Sequence, residues 1–196
     1  RSCIDDEKNL CVDLAKTANL QGSIETFVSG RKFDFCFLNA GVLGGVQKAK
    51  EVKIAKLQEV LAVNVLSAKL VIDSILKSES NTKFICISSG ASKKVYDGWL
   101  NYCVSKAALK QLISCYALEN KESYFLSLSP GTIKTRMQDE IVASDKDKFA
   151  SIQKFLDLYE NNPTPLEVAS KICKNLSLIC NKTPSGGFLD LRDMND

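Results

Sequence analysis

Tyr102 and Lys106 stand four residues apart at the head of a stretch with helical apolar spacing, so both side chains project from one helix face. A free phenol has a pKa of about 10 and exchanges protons poorly near neutrality. A neighbouring ammonium favours the phenolate and lowers that value, so the pair forms an acid–base unit. Ser89 closes an apolar run upstream and places a hydroxyl where it holds a carbonyl oxygen while Tyr102 protonates it. The 196-residue chain contains no histidine, which excludes Ser-His-Asp and Cys-His catalysis within it and removes the commonest zinc ligand. No metal site is expected. Alone, Y-x-x-x-K is a weak signal, because tyrosine and lysine are common; its companions give it weight.

Those residues need a scaffold. Phe33–Leu38, Lys83–Ser88 and Tyr124–Ser129 are short apolar runs, the pattern of parallel strands covered on both faces. Each ends in small residues: Asn39-Ala40-Gly41, Ser89-Gly90 and Pro130-Gly131. Between them, Glu51 to about Ser78 and Tyr102 to about Asn120 carry apolar residues at helical spacing. Met137 to about Tyr159 reads as a charged amphipathic segment, Pro165 to about Cys180 as a helix, and Phe188–Leu191 as a last strand. Strands alternating with helices predict an α/β fold with a doubly wound, mostly parallel sheet and helices on both faces, in one domain over residues 1–196. Ligands in such sheets sit beyond the carboxyl ends of the strands, where the small-residue turns fall.

Composition narrows the function classes. A net charge of +3 without a dense basic run argues against nucleic acid, and no apolar stretch approaches the roughly 20 residues of a membrane helix. The eight cysteines form no C-x-x-C pair, so buried free thiols in a reducing cytoplasm are expected.

The companions of Tyr102 and Lys106 resemble the pattern of the short-chain dehydrogenases/reductases. Ser89 lies thirteen residues before Tyr102, as the serine of that family does. Asn39-Ala40-Gly41 is similar to its N-A-G element, Val63-Asn64-Val65 to its mid-helix asparagine, and Pro130-Gly131-Thr132-Ile133-Lys134-Thr135 to its P-G-x-x-x-T stretch, in the right order. The resemblance implies a Rossmann-like fold and a catalytic set of Ser89, Tyr102, Lys106 and Asn64. Asn64 would hold a water beside Lys106 with its amide, or else serve as a side-chain-to-backbone cap. Lys106 and Tyr102 would meet the nicotinamide ribose, the Asn39, Ala40 and Gly41 backbone would approach the coenzyme, and Pro130, Gly131, Ile133 and Thr135 would anchor its carboxamide and phosphate. Asp13 and Leu14, at the presumed end of a strand over Cys11–Leu14, would contact adenine.

The family's Gly-rich pyrophosphate turn has no counterpart here, so its first strand, first helix and second strand are expected upstream of Arg1. Without them Phe33–Leu38 would present an open apolar edge. Arg1 then falls where a basic residue pairs with a 2′-phosphate, favouring NADP(H) over NAD(H). The stretch from Ser88 to Tyr102 and the closing Gly186-Gly187-Phe188-Leu189-Asp190-Leu191 are similar to the sepiapterin reductase and benzil reductase branch. The implied activity is reduction of a ketone or 1,2-dicarbonyl, pterin-like or benzil-like. Asp190 either anchors the substrate or caps local backbone, and Trp99 either walls an aromatic substrate or simply packs. The resemblance also implies a homodimer or homotetramer. The alternative is a non-catalytic binding or signalling member of the family, should the front end be absent.

Overall fold

The computed structural model describes residues 8–78, 81–145 and 147–194. Four parallel strands form one sheet in the order β1 (Phe35–Leu38), β2 (Lys83–Ile87), β3 (Tyr124–Ser129) and β4 (Phe188–Asp190). Because all four run the same way, their carboxyl ends deliver Asn39, Ser88-Ser89, Pro130-Gly131 and Leu191 to one rim of the sheet.

The central strands are mostly apolar because both faces are covered, with Ser127 and Ser129 the buried polar positions of β3. On one face Phe84, Cys86 and Phe125 meet α1 (Thr17–Val28), α3 (Ser67–Leu76) and α4 (Leu100–Glu119) through Leu20, Ile24, Ile72, Leu109 and Ile113. Cross-strand partners Phe84 and Phe125 stack with ring centroids 4.9 Å apart, and Tyr116 of α4 lies 5.8 Å from Phe125. On the other face Ile85, Leu126 and Leu128 meet α7 (Pro165–Lys174) and α8 (Leu176–Lys182) through Val168, Ile172 and Ile179. The start of α7 is fixed by a capping box: Thr164 Oγ1 accepts from the Glu167 amide at 3.3 Å while Glu167 Oε2 accepts from the Thr164 amide at 2.7 Å.

Several boundaries differ from the sequence expectation. Strand β1 opens at Phe35 rather than Phe33, and β4 ends at Asp190. The helix expected from Glu51 begins as α2 at Ile54 (Ile54–Leu61), and a wide π-helical turn, Ala62–Leu66, separates it from α3. The amphipathic segment after Met137 is two helices, α5 (Arg136–Val142) and α6 (Ser151–Tyr159), and α7 gives way to α8 at Asn175. Cys11–Leu14 is not a strand. There the Asp13 carboxylate accepts from the Ala15 amide at 3.0 Å and closes a local turn, a side-chain bond that competes with strand pairing.

Strand β1 stands at the sheet edge, with Phe37 44% exposed. The seven described cysteines are free, with Cys86 and Cys103 buried as expected but Cys11, Cys115 and Cys173 exposed. No helix among the described residues is long and apolar enough to cross a membrane.

The connection after β1 is held against the start of α4 at Gly44, whose carbonyl accepts from Asn101 Nδ2 at 2.9 Å. Gly44 has φ +82°, and a Cβ there would lie 2.5 Å from Val60 Cγ2 and 3.1 Å from Asn101 Cβ. Gly44→Ala therefore combines left-handed strain with a clash, and we expect a loss of about 3 kcal/mol. Urea unfolding checks this; a loss below about 0.5 kcal/mol would contradict it.

Candidate active site

The rim built by the sheet becomes a site where α4 docks on it. Tyr102 and Lys106 occupy the first turns of α4 and are 8% and 3% exposed. Lys106 Nζ lies 5.6 Å from the Tyr102 ring centroid and donates to the Ile87 carbonyl at 2.8 Å, which ties the helix to the end of β2. Ser89 follows β2 in extended backbone; its Oγ accepts from the Ala91 amide at 3.2 Å and lies near enough to the Tyr102 phenol to influence its protonation. The three side chains expected to act together do converge.

The protonation balance differs from the sequence expectation. Burial, the largest influence, raises the Tyr102 phenol above its ordinary value, and Ser89 opposes this. Burial pulls Lys106 down to about 8. Beneath them Cys86 is a fully buried thiol pushed upward by desolvation.

Asn64 sits in the π-helical turn and is 1% exposed. Its Oδ1 accepts from the Val42 amide at 2.8 Å, while Nδ2 donates to the Val42 carbonyl at 2.9 Å and to Ser105 Oγ at 2.8 Å. Ser105 Oγ in turn donates to the Tyr102 carbonyl at 2.9 Å. Both amide protons are thus committed to protein, and the side chain is a backbone clamp rather than a holder of water. A π-helical turn at a site of this kind is common, because it displaces backbone from the regular ladder.

Ser89, Tyr102 and Lys106 line a cavity of about 350 Å³ together with Asn39, Gly41, Trp99, Pro130, Gly131, Ile133 and Thr135. A neighbouring groove of about 370 Å³ shares Asn39, Pro130, Ile133 and Thr135. A Cβ on Gly41 would lie 3.4 Å from Lys106 Nζ and 3.6 Å from Asn64 Oδ1, so bare backbone there leaves a path to the amine. Leu14 and Ala40 lie apart from the main cavity, on a smaller hollow of about 220 Å³ that also touches Asn39 and Asn64. Asp13 is exposed and 3.9 Å from Lys16. Arg1 lies outside the described residues.

Trp99 is buried in an aromatic cluster, stacked on Phe155 at 4.6 Å and close to Tyr96 and Tyr102 at 5.0 and 6.0 Å. Asp190 is not among the cavity walls. Arg192 grips both its oxygens, at 2.8 Å from Nε and 2.7 Å from Nη2, and Ser129 Oγ donates to it at 3.0 Å. Arg192 chiefly, through that bidentate pair, holds the carboxyl below its ordinary range. The local-cap alternative therefore describes Asp190, and no free carboxylate of it faces the substrate space.

Sequence reasoning missed Ser105, Gln138 and Phe155. Ser105, three residues after Tyr102, was accessible from helical spacing. Phe155 arrives from α6, distant in sequence, with no local signal.

Burial of Lys106 has a pH signature. Its folded value is about 8 against an ordinary 10.5, so between these the unfolded chain binds more protons than the native one. The cost of the buried charge is full below about 8 and relieved as pH rises toward about 10.5. The unfolding free energy of the wild type minus that of Lys106→Met should therefore increase with pH across this window. A pH-independent difference by urea titration would contradict it.

Comparison with known proteins agrees with this geometry. The family model for short chain dehydrogenase matches residues 6–146. Benzil reductase ((S)-benzoin forming) of Bacillus subtilis (strain 168) is 29% identical over 197 residues, spanning 93% of this chain and 80% of that protein. Sepiapterin reductase of Rattus norvegicus is 27% identical over 164 residues, spanning 80% of this chain and 62% of that protein. A short-chain dehydrogenase/reductase crystal structure from Saccharomyces cerevisiae superposes with a TM-score of 0.78 at 23% identity, covering 94% of this chain and 76% of that one. With the family model matched over most of the sequence and the fold shared with solved members, the chain belongs to the short-chain dehydrogenases, oxidoreductases that work with nicotinamide coenzymes.

Proposed function

We propose that the protein is an NADP(H)-dependent carbonyl reductase acting on aryl ketones and 1,2-dicarbonyls through Ser89, Tyr102 and Lys106. One observation carries the reading: the Ser89 hydroxyl and the Tyr102 phenol line one cavity, near enough for the serine to oppose the rise of the phenol's pKa, with the Lys106 amine buried beside them. The residues fit a nicotinamide coenzyme at Gly41, where the missing Cβ leaves access to Lys106 Nζ. Lys106 would hold its ribose, and the Pro130-Gly131 turn, Ile133 and Thr135 its carboxamide side. The coenzyme, when bound, supplies the hydride for the carbonyl carbon.

The protein supplies the rest. Ser89 Oγ donates a hydrogen bond to the carbonyl oxygen and orients it. Tyr102 Oη gives its proton to that oxygen as the alcohol forms. A phenol raised by burial stays protonated near neutrality, which is the form an acid catalyst needs. The phenolate left behind is stabilised by the positive charge of the neighbouring Lys106 until solvent returns the proton. Asn64 acts indirectly, by fixing Ser105 and so the turn of α4 that carries Tyr102.

The aromatic cluster of Trp99, Phe155 and Tyr96 suits flat aromatic substrates, in line with relatives named as benzil and sepiapterin reductases. The NADP(H) preference rests on Arg1 in the sequence, and a likeness to an Escherichia coli short chain dehydrogenase complexed with NADPH accompanies it (TM-score 0.71, 20% identity, 93% of this chain and 74% of that one). A homodimer or homotetramer paired through α2, α3 and α4 belongs to the same reading, since α2 leaves Ile54 exposed, the π-helical turn Leu66, and α4 Val104 and Leu118.

Tyr102→Phe is expected to lower kcat for diketone reduction by about 10²-fold or more, with NADPH binding retained by fluorescence titration. Turnover within a few-fold of wild type would overturn the assignment. Parallel assays with NADPH and NADH test the coenzyme preference.

A further inference from the structure

The reduction as proposed uses Ser89, Tyr102 and Lys106, yet the same cavity contains polar groups that it leaves idle. Gln138 of α5 is 4% exposed and lines the cavity. Its Nε2 donates to the Phe155 carbonyl at 3.3 Å, which fixes the amide plane and leaves Oε1 with no partner among the described residues. The sealed polar atoms lacking partners include Trp99 Nε1 and Ser88 Oγ on this wall but not Gln138 Oε1, so that oxygen is reached by solvent. The cavity thus presents an unspent acceptor pinned in direction, beside a stack of aromatic rings. Asp190, the acidic group expected to anchor a substrate, is consumed by Arg192 and Ser129.

We propose that Gln138 is a specificity-determining residue of the reductase site: its Oε1 accepts a hydrogen bond from an N–H that the substrate carries on the second carbonyl, one carbon from the reacting one. The favoured substrates are then aromatic 1,2-dicarbonyls with a ring N–H, of lactam type, rather than purely apolar diketones. This rests on the reductase reading above and names its substrate class. The discrimination follows from desolvation. A substrate without the donor enters and strips water from Oε1 without replacing it, so a site built to receive a donor rejects its absence more strongly than it rejects a change of size.

The test compares isatin, an aromatic 1,2-dicarbonyl with a ring N–H, with N-methylisatin, in which that donor is replaced by a methyl group. With the full chain and NADPH, kcat/KM for isatin should exceed that for N-methylisatin by about ten-fold. Gln138→Leu should bring the ratio close to one, whereas Gln138→Glu, which keeps an acceptor oxygen, should preserve a preference for isatin. A purely structural role would lower both substrates together and leave the ratio unchanged. If Gln138→Leu fails to fold, Gln138→Met supplies the same comparison with a better match of shape. A wild-type ratio near one, or a ratio that survives in the leucine or methionine variant through steric exclusion of the methyl group, overturns the inference and leaves the reductase reading standing. No turnover of either dicarbonyl by a protein that binds NADPH overturns both.

Discussion

One buried amide joins the parts on which the site depends. Asn64 reaches from the π-helical turn to both backbone groups of Val42, in the connection after β1, and to Ser105 on α4. The Ser105 bond is buried and the two Val42 bonds partly so, so each is worth more than its solvent-exposed equivalent and breaking the buried one carries a penalty. Through them the strand-end connection, the π-helical turn and the start of α4 are held as one unit. Lys106 makes the second tie, from α4 to the Ile87 carbonyl at the end of β2. Between the two ties Tyr102 has little freedom, and the phenol faces Ser89 because the scaffold permits little else.

The same burial sets the chemistry. The candidate catalytic groups lie over a sheet whose inner face is Phe84, Cys86 and Phe125, and desolvation moves each titratable group toward its neutral form. For Tyr102 that means a phenol that keeps its proton; for Lys106 it means an amine whose charge is lightly held. In the proposed mechanism no histidine is needed, because a buried phenol and a buried amine on one helix turn divide the acid–base work between them. Packing and reactivity are here a single property of where α4 crosses the sheet.

Much of this was legible in the sequence because helices and strands impose fixed periods. The four-residue interval from Tyr102 to Lys106, the apolar runs of β1, β2 and β3 and the small residues after each of them follow from local geometry. Apart from Ser105, within reach of helical spacing from Tyr102, what escaped depended on side-chain pairings, some local and some far along the chain, that periodicity does not encode. Asp190 meets Arg192 and Ser129, and so faces no ligand; the pattern that suggested an anchor does not record that pairing. Asp13 closes a turn instead of ending a strand because its carboxylate finds the Ala15 amide. The break between α5 and α6 brings Phe155 against Trp99, and Gln138 against the Phe155 carbonyl, none of which periodicity reveals. The direction of the Tyr102 shift was also missed, because adjacency to an ammonium is written in the sequence and depth of burial is not.

The claim that Asn64 couples the helix turn to α4 is tested most directly by a double-mutant cycle. Asn64→Leu, Ser105→Ala and the combined variant would be compared with wild type by urea unfolding at constant pH. A clamp acting through the Asn64–Ser105 bond predicts a coupling energy of about 1 kcal/mol or more. Strict additivity, to within about 0.3 kcal/mol, would show the two side chains to be independent and would contradict the account.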